Sequence, residues 1–405
     1  MAVLLVVVFV NLAGFGVLLP ILPFYARAFH APVWLVTWVF TAFSLGNFFA
    51  EPTWGRLSDK IGRRPILLGT ITASGLGFIA LAFAPSIWAV LLIRLAMGLA
   101  TGNLSTIQGY IADITPAQHR AGRIGLLGAA FALGFVAGPA LGGFLARPEL
   151  GLAGYRVPLL AAGGLALTAA GGAFLFLRES CARAKISTAG VSIGVFQRAM
   201  RHPVLARALV VTLLYTAAFA AAESTFGLWT QRRYGWGPEK LSICLACVAV
   251  AAAVAQGFLT GRITRRFGEA ATLAGGLVLI SLTLAAQPLG QGMPRTVVLL
   301  ALTIFGQALA LPNIIALISR ATPSDCQGTM LGLNTAVGAL ARAAGPIAGG
   351  ALFSIVGADA PLYVAALLVA PAILLAWQAE GQARRSRGAP VSPVVLRLHP
   401  VDAAK

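Results

Sequence analysis

"GRLSDKIGRRP", Gly55 to Pro65, packs five charges into eleven positions. The nearly uncharged run on either side is about twenty residues long, enough for a helix to cross a hydrocarbon core. A dense polar knot between two such runs reads as a short loop at a membrane surface, with glycines permitting tight turns at its ends. Pro65 suits the first turn of the helix that follows, where a missing N–H costs nothing. A fainter copy, "GRITRRFG", stands at Gly261 to Gly268, so Gly55-Arg56 falls on Gly261-Arg262 and Gly62 on Gly268 at an offset of 206.

The rest of the chain agrees with this reading. Of its 405 residues 58% are hydrophobic and only 10% charged, too few charges for a soluble domain of this size. The net charge of +18 does not point to nucleic acid, because the Lys and Arg sit in short connections between apolar runs. Twelve spans are expected, at roughly 3–25, 33–54, 66–84, 87–111, 124–146 and 157–177, then 206–230, 241–260, 270–288, 296–318, 328–353 and 361–379. The fold class is therefore all-α and integral to the membrane, in two six-helix bundles covering 1–177 and 206–379. A linker (178–205) joins them, and a basic tail (380–405) follows. One set of connections, with the tail, carries 21 of the 30 Lys and Arg and the opposite set 7, which places both termini in the cytoplasm.

A longer match supports the duplication. "IADITPAQHRAGRIGLLGAAFALGFVAGPALGG" (Ile111–Gly143) lies over "ISRATPSDCQGTMLGLNTAVGALARAAGPIAGG" (Ile318–Gly350) at a constant offset of 207. Two halves in parallel topology form a substrate site between them, near the midplane.

At these residues the chain resembles the major facilitator superfamily, and within it the twelve-helix drug:proton antiporters that include tetracycline-efflux proteins. "GRLSDKIGRRP" is similar to the superfamily's loop between helices 2 and 3. "RLAMG" (Arg94–Gly98) resembles its helix-4 motif. "GFVAGPALGG" (Gly134–Gly143) matches an antiporter pattern on helix 5, and "GFGVLLPILP" (Gly14–Pro23) a first-helix motif. Two departures stand out: the position near Asn11 is neutral where the tetracycline exporters carry aspartate, and Glu51 stands where an uncharged residue is usual.

The resemblance implies a conformational latch built from Gly55, Asp59, Gly62, Arg63, Arg64 and Asp113, with Asp59 meeting the N-terminus of helix 11. The copy at Gly261 has no aspartate, so a weaker second latch is expected. Glu223 and Glu51 are the acids inside or at the edge of spans; a charge in lipid costs at least about 2.5 kcal/mol, so each faces a cavity or a partner. Glu223 with water access is placed to load and release a proton, or else to sit in a static pair with Arg342 or Arg94. Glu51 either joins that coupling set or pairs with loop arginines. Arg94 and Arg342 either tune such a carboxyl, attract an anion, or pair with helix carbonyls.

Gly134, Gly138, Gly142 and Gly143 allow close helix approach and Pro139 interrupts the backbone ladder. The matching Gly345-Pro346 suggests that helices 5 and 11 meet as a seam. Asn11, Phe15, Trp38, Asn103, Gln108, Phe131, Phe219, Phe226, Gln307 and Asn334 are cavity candidates, each with interhelical packing as the alternative. Together they describe an amphipathic cavity suited to a lipophilic solute.

Cys244 and Cys247 form a CxxC within an apolar run, read as small helix residues rather than a redox or metal site. There is no phosphate-cradling loop and no histidine cluster, so no enzyme activity, cofactor or metal is expected. The expected function is a proton-coupled antiporter exporting lipophilic drug-like compounds by alternating access from a bacterial-type inner membrane. Its partners are the substrate, protons and membrane lipid, and it works as a monomer. The alternative is a proton symporter or facilitator for a small organic, anionic metabolite.

Overall fold

The computed structural model describes residues 2–101, 103–115, 120–180, 199–200, 202–290, 292–322 and 327–386. Lipid offers no hydrogen-bonding partner to backbone N–H and C=O groups, so long apolar runs satisfy them internally as helices. Among the described residues no strand is present. The helices are α1 (Ala2–Ala28), α2 (Val33–Ile61), α3 (Arg63–Ala82), α4 (Ile87–Thr101), α5 (Leu104–Ile114), α6 (Arg120–Leu145), α7 (Arg156–Phe176), α8 (Pro203–Tyr234), α9 (Pro238–Ala255), α10 (Gly261–Phe267), α11 (Glu269–Ala286), α12 (Met293–Arg320), α13 (Gln327–Ile355) and α14 (Ala360–Ser386).

Eleven stretches among the described residues are long and apolar enough to cross a membrane. The expected fifth span is α6, whose described apolar part is Leu133–Leu145. The protein is a multi-pass membrane protein.

Several boundaries differ from expectation. The fourth span is two helices, α4 and α5, with Asn103 at the position before the second. The eighth is α9 and α10 joined by a π-helical turn, Gln256–Thr260. The last helix runs on to Ser386, past the 379 expected as its end, because Gln378–Ser386 holds no proline to stop it. The expected Gly55–Pro65 loop shrinks to one residue. Gly55 lies inside α2, which stays helical to Ile61, and only Gly62 (φ 110°, ψ 155°) breaks the run before α3 starts at Arg63. Gly268 (φ 86°, ψ 167°) repeats that break between α10 and α11. A left-handed φ favours glycine, which is why the two motifs share this residue.

The small residues position the halves. A Cβ on Gly138 would lie 2.5 Å from the Ala13 carbonyl oxygen and 2.6 Å from the Gly16 Cα; one on Gly142 would lie 2.5 Å from the Val17 carbonyl. In the second half Gly345 meets Ala217 and Ala220, and Gly349 meets Ala221. The contacted residues, Ala13, Gly16 and Val17 against Ala217, Ala220 and Ala221, are all offset by 204. Thus α6 packs on α1 as α13 packs on α8. Gly143 then faces Ser242 of α9, and Gly350 faces Thr37 of α2. The expectation that α6 and α13 meet as one seam is corrected: they are equivalents, each the lining of a different seam, α6 with α9 and α13 with α2.

Candidate functional site

Among the described residues, close approaches between the halves are found toward one end. Gly227 rests on Pro23, Gly143 on Ser242, Gly350 on Thr37, and the Thr41 hydroxyl donates to the Ala343 carbonyl at 2.9 Å. All are on the far side of the bundle from the Gly62 and Gly268 breaks. A cavity of about 320 Å³ also opens at that far end, between Phe24, Arg27 and Tyr155 of the first half and Gln231 and Pro238 of the second. None of the expected cavity residues lines it.

At the Gly62 end the motif charges converge on one guanidinium. Arg63 pairs with Asp59 one turn before it (2.8 Å) and with Asp113 of α5 (3.2 Å), and donates to the Ser58 hydroxyl (2.6 Å). Its side chain is 13% exposed against 42% for Asp59, so Arg63 is the hub and Asp59 the accessible edge. The Glu179 carboxylate accepts from the backbone N–H groups of Arg63 (2.8 Å) and Arg64 (3.2 Å). It thereby caps the start of α3, where orphan N–H groups and the helix dipole favour a negative charge. A Cβ on Gly62 would overlap this carboxylate, so the glycine supplies room as well as its φ. Ser180 donates to Asp113 (3.2 Å), and the Tyr110 hydroxyl to the Arg178 carbonyl (2.8 Å). Arg64 turns away, donating to the Phe174 carbonyl and lying 5.5 Å over that ring. The Asp59 contact expected at the start of the eleventh span, α13, falls at 323–329, where side chains lie outside the described residues. The sequence reading missed Glu179, since nothing local marks a cap supplied from 116 residues away.

The second half carries a counterpart of this cluster. Glu269, the first residue of α11, pairs with Arg320 at the end of α12 (2.9 Å), so the second half has its own brace.

Deeper in the bundle, Glu223 of α8 is exposed, one turn from the Gly227 contact with α1. It and Tyr215 share an electrostatic neighbourhood with Arg342 of α13, and Arg342 also feels Glu51 of α2, from the other half. Arg342 is exposed, and a Cβ on Gly338 would lie 3.6 Å from its Nη1, so the guanidinium reaches back over the preceding turn toward the Gly62 end. Gln307 of α12 is hydrogen-bonded to Tyr215. This group brings together Glu223, Arg342, Glu51 and Gln307 from the expected residues; Tyr215, buried and apolar in pattern, was missed.

Arg94 is placed elsewhere. It is buried, with Nε 3.4 Å from the Val39 carbonyl and its guanidinium 4.2 Å over the Phe43 ring. Its Nη1 has no partner. A buried stack of this kind contributes about 2 kcal/mol. That falls short of the roughly 2.5–3.5 kcal/mol cost of a central arginine, so Arg94 is tolerated rather than fully satisfied.

Of the remaining cavity candidates, three are packing residues. Asn103 donates to Thr70 (2.8 Å), Asn334 accepts from Thr212 (2.7 Å), and Phe226 is buried 5.7 Å from the Trp229 ring. Burial inside each half satisfied these side chains, which their sequence depth did not distinguish from lining. Phe15 joins Phe43 and Phe135 in a ring cluster, and Phe219 lies beside Tyr215. Trp38 and Gln108 are exposed. The side chains of Asn11 and Phe131 lie outside the described residues.

The Major Facilitator Superfamily model matches residues 4–289 and 233–401. The chain belongs to this superfamily. It is a transporter of small molecules, not an enzyme. Tetracycline resistance protein, class C, of Escherichia coli is 30% identical over 361 residues, covering 85% of this chain and 87% of that protein. Multidrug resistance protein 1 of Bacillus subtilis (strain 168) is 27% identical, covering 95% and 98%. This superfamily member is thus related to tetracycline and multidrug efflux proteins. The solved structure of a bacterial homolog to the human lysosomal transporter Spinster, inward-facing and unoccupied, matches with TM-score 0.76 at 15% identity. It covers 96% of this chain and 98% of that one, and so shows the fold.

Proposed function

We propose that this protein is a proton-driven antiporter that exports lipophilic compounds by alternating access across a bacterial-type inner membrane, as a monomer with both termini in the cytoplasm. The 21-to-7 division of Lys and Arg supports the orientation and makes the Gly62 end the inner one. The halves 1–177 and 206–379 are the moving bodies, joined by 178–205. Close approaches at the outer end among the described residues support reading this arrangement as the inward-facing member of such a cycle.

The observation that carries the reading is Glu223, an acid exposed at the seam between the halves and facing the charge of Arg342. An acid there exchanges its proton with whichever side the cavity opens to, and its charge changes the balance around Arg342 and Glu51. The Asp59–Arg63–Asp113 cluster braces the inner end of the first half through these steps. A second reading, a facilitator or symporter of a small organic anion, draws on exposed Arg342 and on the unpartnered Nη1 of Arg94.

The test is reconstitution in liposomes with a pH-sensitive dye inside, an imposed pH gradient, and a panel of lipophilic cations, neutral drugs and organic anions. Antiport predicts proton movement triggered by a lipophilic class and lost in Glu223→Gln. Flux of an anion without proton movement, unchanged in Glu223→Gln, overturns it in favour of the second reading.

A further inference from the structure

The cavity at the outer end has no part in the function proposed above, yet its wall is firmly built. Four elements supply it: the last turn of α1 with Phe24 and Arg27, the α6–α7 connection with Pro148 and Tyr155, Gln231 of α8, and Pro238 at the start of α9. The connection folds tightly back on itself. The Arg147 N–H donates to the Gly154 carbonyl (3.1 Å), and a Cβ on Gly154 would overlap the Arg147 carbonyl, so the glycine permits the closure that places Tyr155. The Tyr155 ring lies edge-on to Tyr25 (5.7 Å), whose hydroxyl is tied to the Leu81 carbonyl at the end of α3.

Two lining side chains carry unused donors. Tyr155 is 4% exposed, and its hydroxyl has no hydrogen-bond partner among the described residues. A buried hydroxyl without a partner is costly, so it marks a place where a polar group belongs. Arg27 is exposed, uses one N–H on the Ala31 carbonyl (3.1 Å), and meets no carboxylate among the described residues. A guanidinium has five such donors. Glu149 and Glu239, next in sequence to Pro148 and Pro238, are exposed and do not line the cavity. A guanidinium, a phenol and an amide around two aromatic rings suit one class of solute, an aromatic ring bearing a carboxylate or sulfonate. About 320 Å³ is the low end for a ligand pocket, so the solute is small.

The wall is shared between the halves. Pro238 stands at the outer mouth of the α6–α9 seam, where a Cβ on Gly143 would lie 3.1 Å from its carbonyl oxygen. Parting the outer ends therefore separates Phe24, Arg27 and Tyr155 from Gln231 and Pro238. We infer that this cavity is a second binding site, taking small aromatic anions from the outer solution, and that a bound anion holds the outer ends together and slows the cycle from outside. The inference rests on the inward-facing reading above, since a solute that binds one state and not the other shifts the balance toward the first. It is independent of the central group: Glu223, Arg342 and Glu51 do not line the cavity.

The probe is 2-naphthalenesulfonate, permanently charged and excluded from the bilayer, with 2-naphthalenesulfonamide as its uncharged counterpart. Calorimetric titration of the purified protein is expected to show the sulfonate bound at least tenfold more tightly than the sulfonamide. Arg27→Gln and Tyr155→Phe are each expected to weaken sulfonate binding about tenfold at an unchanged melting temperature, one being a surface change and the other keeping its ring. Spin labels on Trp88→Cys and Leu289→Cys, both exposed at the outer end and one in each half, report closure by pulsed electron spin resonance in a background without native cysteines. The sulfonate at ten times its Kd is expected to lower the ratio of long-distance to short-distance populations about tenfold. With Arg27→Gln added, the same concentration should leave the ratio nearly unchanged. No sulfonate binding, or binding like wild type in either variant, overturns the site. Binding that leaves the distances unchanged overturns its hold on the cycle, and alternating access stands. A wild type with no long-distance population under any gradient overturns alternating access itself, and the hold on the cycle with it.

Discussion

A methyl group on Gly138 would sit 2.5 Å from a backbone oxygen and 2.6 Å from a backbone carbon of α1, neither of which can swing aside. Gly138→Ala is therefore expected to destabilise by about 1–3 kcal/mol, the usual range for overpacking. Gly171→Ala is the control, with nothing within 4 Å of its added carbon, and is expected to be neutral or stabilising by up to about 1 kcal/mol. Melting of the purified proteins in one detergent checks both; equal losses would mean that the α1–α6 contact does not set stability. At this scale the sequence was partly legible. Gly138 was visible through its i, i+4 neighbours Gly134 and Gly142, because a helical face has a period. Whether Asn103 or Asn334 faced a cavity or a neighbouring helix was not visible, since either environment suits an amide, and the Thr70 and Thr212 partners are far away in the chain.

Elements were legible in their middles and not at their ends. The apolar runs that set the spans are long, whereas a helix continues into water wherever nothing stops it, as α2 does from Gly55 to Ile61. Only a residue with a required backbone conformation, here Gly62, marks a stop. The start of α3 depends on a carboxylate from beyond α7, and Glu179→Ala is expected to cost about 0.5–2 kcal/mol, the range for loss of a cap. Hydrogen exchange at the Arg63 and Arg64 amides should quicken while that of mid-helix α3 stays unchanged. Uniform quickening along α3 would assign Glu179 to global stability instead.

For the whole molecule, the repeat made the two-half architecture legible before any contact was seen, because turn residues and prolines recurred at nearly constant offsets. Which helices pair across the halves was not legible, and the Gly345-Pro346 match pointed to the wrong partner. The observed partner suggests a crosslink. A Cβ on Gly350 would lie 3.0 Å from that of Thr37, so the helices need to part by about 0.5 Å to reach the lower end of the disulfide range. Thr37→Cys with Gly350→Cys, oxidised, is expected to stop turnover by holding the outer end closed, and a reductant should restore it. Full transport in the crosslinked protein would mean that the outer end does not open.

The π-helical turn at Gln256–Thr260 keeps the two halves in register. Thr37 and Ser242, equivalent through their glycine contacts, are 205 residues apart, but Gly62 and Gly268, equivalent through their backbone angles, are 206 apart. The second half therefore holds one residue more than the first between these landmarks. An α-helix turns about 100° per residue, so an insertion absorbed by regular helix would have swung Arg265 and Gly268 to another face. The wide turn takes up the extra residue locally and returns the helix to its former phase. Deleting Gly257 should thus leave a functional transporter with an uninterrupted span, readable from transport and from helix content. The bulge thus keeps the two inner ends in matching register although the second half is one residue longer between the shared landmarks.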